Sequence, residues 1–284
     1  MVTIYILGKM TLHTIYHSIA QAVVLGIIQG TTEYLPVSSG AHLLLAERWM
    51  FPTACPQAFD GVNTLLQFGS VWVVFLFYRK QIGKIFAGLM GRSREGLRLF
   101  SNLLCAFFPT AVAGHLGGFY IREHCENLNF IASALAVGGA YIFAVVRFCQ
   151  PRQRLTSLSW RQSFFIGVLQ SIALFPGVSR SLMTISAGLW MGLTMADAVE
   201  FSFLLGAGTI GAATLYQFIV NGMLLDAGWG PVSLASGIIS AFIASAAAMK
   251  FSTKRFSMGL LSTFAWYRIT LALLIFNRYS GSGI

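Results

Sequence analysis

The chain has 284 residues, 56% hydrophobic and 10% charged, with 19 Lys and Arg against 9 Asp and Glu. Soluble domains carry about 25% charged residues, so this composition excludes an ordinary soluble domain and points to several membrane spans. The net charge of +10 calls for no nucleic acid, because membrane proteins gather Lys and Arg in their cytoplasmic loops, and the cysteines lack the CxxC spacing of a zinc or redox centre.

The N-terminus shows no basic leader followed by a small-residue cleavage site, so no cleavable signal peptide is expected. The first apolar region, about Tyr16–Met50, is interrupted by "QGTTEYLPVSSGAH" (Gln29–His42) and reads as a helix–break–helix hairpin. Three uninterrupted spans follow, roughly Val62–Tyr78, Leu99–Phe119 and Phe130–Val146. A second broken region, about Phe164–Met191, is interrupted by "PGVSR" (Pro176–Arg180). Three more spans follow it, roughly Ala198–Val220, Val232–Met249 and Met258–Phe276.

Basic residues orient the spans. Segments Arg79–Arg98, Arg147–Arg161 and Lys250–Arg255 hold 13 of the 19 Lys and Arg. The loops between them hold one base, Arg122, and the acids Asp60, Glu123, Glu126 and Asp226. The three basic segments are therefore expected on the cytoplasmic side. The second hairpin then enters and leaves on one face, which makes it re-entrant. Irregular backbone at membrane depth survives only around a protein-lined or water-filled cavity, so both hairpins are expected to line one.

The hairpins resemble each other. "GIIQ" and "PVSS" (Gly26–Gln29, Pro36–Ser39) answer to "GVLQ" and "PGVSR" (Gly167–Gln170, Pro176–Arg180) at an offset of about 141 residues. Each hairpin precedes three spans, an odd number, so the second copy starts on the opposite side from the first. The expected fold is an all-α polytopic membrane protein with an inverted-topology repeat. Residues 1–150 and 151–284 form the two halves of one integral membrane domain, and sites in such repeats form near the midplane where broken helices meet.

At the first tip, Pro36 ends a helix, and Ser38 or Ser39 can cap the next one. His42 lies one turn beyond Ser39, and a Ser and a His so placed suit a nucleophile and its base. Glu33, the carboxylate at depth, suits a divalent cation or a proton. Gln29, one turn before it, offers a neutral ligand oxygen. At the second tip, Arg180 sets a guanidinium fork at a helix start, which suits phosphate. Ser179, Ser181 and Thr184 add hydroxyls around it.

Plainer roles stand beside these. Glu33 and Arg180 can be simple structural partners, the serines simple caps, and His42 a donor to a buried carbonyl. Arg268, inside an apolar span, is expected to snorkel or to pair with Glu200. Glu47 and Arg48 are expected at the interface.

"GIIQGTTEYLPVSSGAH" resembles the motif (E/Q)GxTEFLPVSSxxH of the bacitracin-resistance type of undecaprenyl-diphosphate phosphatases, and "PGVSRSLMTISAGLWMG" resembles that family's PGxSRSGxTI. "LLQFGSVWVVFLFYRK" and "EFSFLLGAGTIGAA" extend the likeness along the chain. The resemblance implies an integral membrane enzyme of the bacterial cytoplasmic (inner) membrane. It would remove the terminal phosphate of undecaprenyl diphosphate with a divalent cation, Mg2+ or Ca2+, from a site open to the outer face. The product is the monophosphate carrier for peptidoglycan and other envelope polymers. By motif match, the cation ligands fall on Gln29 and Glu33, the serine and histidine candidates on Ser38, Ser39 and His42, and the diphosphate-binding arginine on Arg180. Homodimerisation is left open. The rival reading is a transporter or flippase of a phosphorylated lipid or anion using the same pocket.

The chain departs from the family pattern at four places. Gln29 stands where many members carry Glu, leaving Glu33 the one anionic ligand at its tip. Leu182 stands where Gly is usual and is expected to narrow the approach to Arg180. Asn63 replaces an acid, and "GAG" (Gly206–Gly208) replaces "AVP".

Overall fold

The computed structural model describes residues 2–52, 59–125, 127–150, 152–221 and 229–279, with the side chains of 2–17, 118–120, 122–125 and 220–221 outside that description. The acidic-loop residues Arg122, Glu123, Glu126 and Asp226 accordingly fall outside it as well. The described residues form α-helices and a short 3-10 turn at Leu155–Ser157.

The first half runs α1 (Val2–Glu33), α2 (Ser39–Met50), α3 (Asp60–Phe77), α4 (Arg79–Leu89), α5 (Arg94–Cys125) and α6 (Leu128–Phe148). The second runs α7 (Trp160–Ile172), α8 (Arg180–Trp190), α9 (Met195–Asn221), α10 (Pro231–Arg255) and α11 (Met258–Tyr279). Six of these, α3, α5, α6, α9, α10 and α11, are long and apolar enough to cross a bilayer, whose core of about 30 Å takes about 20 helical residues. The chain is a multi-pass membrane protein. All six coincide with the expected spans, and both interrupted regions are helix–break–helix. Two elements go beyond the sequence reading. Helix α1 starts at Val2 rather than near Tyr16, and the basic segment after α3 carries α4. Gly88 and Gly96 allow α4 to lie directly on the start of α5, where a Cβ at either position would run into backbone.

Helix ends follow local chemistry. Asn127 caps α6 through the Phe130 N–H at 2.6 Å. Ser159 and Gln162 close a reciprocal capping box on α7, and Pro231 opens α10 from its first turn.

Close packing rests on small residues, as in lipid, where burial of apolar surface drives no helix association. Gly26 and Gly30 of α1 lie against the backbone of Gly237, Ala241 and Ser245 of α10, and Gly167 of α7 lies against Ala106 of α5. Exchanging the halves converts one pair into the other: α1 on α10 becomes α7 on α5. By the same exchange α3–α10 becomes α9–α5, while α3–α9 and α6–α11 map onto themselves. Helix α9 is the most enclosed span and α5 the least. The core therefore sits around α8 and α9, with Leu182, Phe201 and Phe203 from those helices and Tyr34 from the first break.

Candidate active site

Both breaks are built the same way. Helix α2 starts from Ser38 (φ 75°) and α8 from Ser179 (φ 81°), the two non-glycine residues with positive φ among the described residues. A left-handed L-residue costs roughly 1–2 kcal/mol, so surrounding contacts hold both corners. Each serine caps its helix: Ser38 Oγ accepts from the Ala41 N–H at 3.4 Å, and Ser179 Oγ from the Leu182 N–H at 3.3 Å. The cap role considered for one of Ser38 and Ser39 falls on Ser38. Ser39 is freed for other contacts.

The two tips meet. Arg180 Nη2 donates to Glu33 Oε1 at 2.5 Å. The other carboxylate oxygen accepts from Gln29 Nε2 at 2.7 Å and from Ser39 Oγ at 2.8 Å. Ser181 Oγ crosses to the Leu35 carbonyl at 2.8 Å and ties the backbones together. The cluster is secluded, with Glu33 6% and Gln29 0% exposed. Two of its atoms are buried without a partner: Arg180 Nη1 and Gln29 Oε1. Arg180 lies against the Cα of Gly206, where any side chain would collide with the guanidinium. The "GAG" departure therefore gives Arg180 its seat.

The remaining candidates separate. Ser179 Oγ shares a hydrogen bond with Ser181 Oγ at 3.2 Å. Thr184 turns to α9, with its hydroxyl on the Arg180 carbonyl at 2.9 Å and on Ser202 Oγ at 2.5 Å. Leu182 is 1% exposed in the central apolar cluster, so its bulk is taken up by core packing. His42 is not paired with a serine hydroxyl. Its Nδ1 lies 2.7 Å from the Ser38 carbonyl and its Nε2 2.6 Å from the Tyr267 hydroxyl. The carbonyl only accepts, so Nδ1 carries hydrogen and, in the neutral ring, Nε2 accepts from the phenol.

Two sequence expectations are overturned. Arg268 neither snorkels nor reaches Glu200. It is fully buried and donates to the carbonyls of Pro36 (3.2 Å), Ala134 (3.2 Å), Gly177 (2.9 Å) and Val178 (3.2 Å). One guanidinium thus ties both breaks, whose turning backbones expose carbonyls that no helix satisfies. Glu47 does not face outward. It is 3% exposed and accepts from Asn63 Nδ2 at 2.8 Å, so an amide rather than a second acid suits position 63. Arg268 carried its signal in sequence, a basic residue deep in an apolar span, but Tyr267 carried none.

The donor set also bears on a cation. A carboxylate, a hydroxyl and an amide oxygen are hard ligands of the kind Mg2+ and Ca2+ take, and the unpaired buried Gln29 Oε1 offers such a ligand. Among the described residues, no group of three or more His, Cys, Asp and Glu could hold a metal ion. The residues fit a cation that shares its shell with substrate oxygens or water.

Fold and site together define a multi-pass helical membrane protein with a buried carboxylate–guanidinium centre between two broken helices. The sequence profile described as bacitracin resistance protein BacA matches residues 22–274, and the chain belongs to that family. It is 36% identical to an undecaprenyl-diphosphatase of Sorangium cellulosum over 260 residues, covering 89% of this chain and 84% of that protein. It is 34% identical to undecaprenyl-diphosphatase 2 of Rhodospirillum rubrum and 34% to the enzyme of Methylococcus capsulatus, each time over 90% of this chain and 93% of the relative.

Proposed function

We propose that this protein is an undecaprenyl-diphosphate phosphatase, converting the diphosphate lipid into the monophosphate carrier for cell-envelope polymers. The observation that carries the reading is the meeting of Glu33, Gln29 and Ser39 with Arg180, 147 positions away along the chain. The fork of Arg180 is the natural seat for the diphosphate, and its Nη1, buried against Gly206, has no hydrogen-bond partner. As phosphate oxygens take the guanidinium, Glu33 is released to accept a proton. The hydroxyl already donating to it belongs to Ser39, so Glu33 is the base at hand for Ser39 or for a water in its place. The attacking oxygen bonds to the terminal phosphorus, the bond to the bridging oxygen breaks, and the lipid monophosphate leaves. A divalent cation held by Glu33 and Gln29 would neutralise phosphate charge during that transfer. Arg180 meets the charge that grows on the leaving oxygens.

The matching corners at Ser38 and Ser179 and the packing pairs that exchange between halves support an inverted repeat with both hairpins re-entrant. On that arrangement the chain lies in the bacterial cytoplasmic membrane with its site open to the outer face.

The test is phosphate release from a long-chain prenyl diphosphate by purified protein, with and without a chelator. Glu33→Ala and Arg180→Ala should each lower the rate at least about 10³-fold, as loss of transition-state charge stabilisation does, while the fold survives. Near-normal rates in both variants overturn the site. Movement of labelled lipid across liposomes without phosphate release would make the protein a transporter.

A further inference from the structure

His42 is enclosed in a way that decides how it can act. Its Nδ1 is committed to the Ser38 carbonyl, a backbone group fixed by the cap at the start of α2. Its Nε2 is committed to the Tyr267 hydroxyl at 2.6 Å. The two rings are stacked, with centroids 5.7 Å apart and planes 7° from parallel. An imidazole has two nitrogens and no other site for a proton. While these contacts hold, a proton enters or leaves His42 through the phenol of Tyr267. Tyr267 is 46% exposed, whereas Arg268 beside it is fully buried and fixes this turn of α11 against both breaks.

We propose that Tyr267 is a catalytic residue of the reaction assigned above, carrying the proton between His42 and the reacting phosphate. The proposal rests on that reading of the site. With Glu33 taking the proton of the nucleophile, the His42 imidazolium gives its Nε2 hydrogen to the phenol oxygen while the phenol gives its own to the departing phosphate oxygen. One N–H bond breaks, one O–H bond forms on the leaving group, and the phenol ends as it began. The reverse transfer takes that proton back from the released phosphate. The charge on the imidazolium is shared with the Ser38 carbonyl through the Nδ1 hydrogen bond. Tyrosine suits this position because its hydroxyl both donates and accepts, so it serves His42 in either protonation state.

The test compares Tyr267→Phe, His42→Ala and the double variant in phosphate release. Phenylalanine keeps the stacked ring and removes the hydroxyl alone. The expected result is a fall in kcat of about 10²-fold for Tyr267→Phe, in the range of a lost general acid–base group, with KM within about threefold. The pH–rate limb due to His42 should shift, and the double variant should be no slower than His42→Ala, because the two residues act in series. In protein labelled with 15N-histidine, the Nε2 resonance of His42 should move on Tyr267→Phe. An impaired His42→Ala beside a Tyr267→Phe enzyme with wild-type kcat and pH profile overturns the relay and leaves the site assignment standing. Multiplying losses in the double variant, or an unmoved Nε2 resonance, also overturn it. A His42→Ala enzyme at the wild-type rate overturns both the relay and the role of His42.

Discussion

The two breaks share a backbone and differ in cargo. Both start a helix from a serine in the left-handed region, and both place a buried glutamine on the helix before the break, Gln29 and Gln170, 0% and 1% exposed. Beyond that they diverge. One turn after Gln29 stands Glu33, whereas one turn after Gln170 stands Leu174. The first residue of α2 is Ser39, whereas the first residue of α8 is Arg180. The scaffold supplies two equivalent corners that meet, and substitutions at a few corner positions make one corner anionic and hydroxyl-bearing and the other cationic. An acid on both sides would leave two buried anions facing each other, and an arginine on both sides two buried cations. Opposite charges let the two corners meet without burying like charges against each other.

The largest effect should come from the residue that serves both corners at once. Replacing Arg268 by Met strips donors from the carbonyls of Pro36, Gly177 and Val178, three groups at the breaks with no helical partner. Leaving buried carbonyls unpaired costs roughly 1–3 kcal/mol each, partly regained by apolar packing, so a net loss of about 3 kcal/mol is expected. Thermal unfolding in detergent should show a lowered midpoint, and phosphate release should fall with it as the tips part. Gly138→Ala should act in the same direction and more weakly, because its Cβ would press on the guanidinium without removing it. An Arg268→Met protein with wild-type midpoint and activity would mean that the corners hold their shape independently.

Ser39 and Arg180 open α2 and α8 in the same register, and a change at Ser39 separates chemistry from support. Its hydroxyl reaches Glu33, while the cap at that helix start belongs to Ser38. Ser39→Ala should therefore lower phosphate release about 10²-fold or more with an unfolding midpoint close to wild type. Equal loss of stability and rate would assign Ser39 to structure.

The broad fold was legible because its physics is written in composition. Long apolar runs, basic loops alternating with acid-bearing ones and proline-interrupted hairpins each have one economical reading in a bilayer. The meeting of Glu33 and Arg180 was legible for a related reason: lone charges at depth need partners, and the two breaks, alike in sequence, carry them close to their corners. What lay beyond reach was direction. Nothing in "PVSSGAH" says that Ser39 turns to Glu33 while His42 turns to Tyr267, since the first follows from the turn at Ser38 and the second from where α11 passes α2. Arg268 was visible as a charge in an apolar span, but its true partners are backbone carbonyls that carry no side-chain signature. Glu47 read as interfacial because Asn63, its donor, sits on another helix. Helix α4 was hidden because a basic, glycine-containing stretch after a span reads as a loop until α5 gives Gly88 a surface to pack on.

The smallest effect, and the sharpest comparison, lies in the paired glutamines. Gln170 Nε2 donates to Thr110 Oγ1 at 2.8 Å, and Gln29 Nε2 donates to Glu33 at 2.7 Å. In both, Oε1 is buried without a partner. Each Gln→Leu change removes one neutral amide and leaves a similar shape, so each should alter stability by about 1 kcal/mol. Their functional effects should differ. Gln170→Leu disturbs a hydroxyl of α5, away from the carboxylate, and should leave the rate within about twofold. Gln29→Leu takes a charge-assisted donor and a neutral ligand oxygen from beside Glu33. Phosphate release should fall about tenfold, the loss of roughly 1.4 kcal/mol expected for such a hydrogen bond, and half-maximal rate should require more divalent cation. Equal effects of the two changes on rate would mean that the unpaired oxygen at Gln29 is inherited from the shared scaffold, as at Gln170, and serves no ligand.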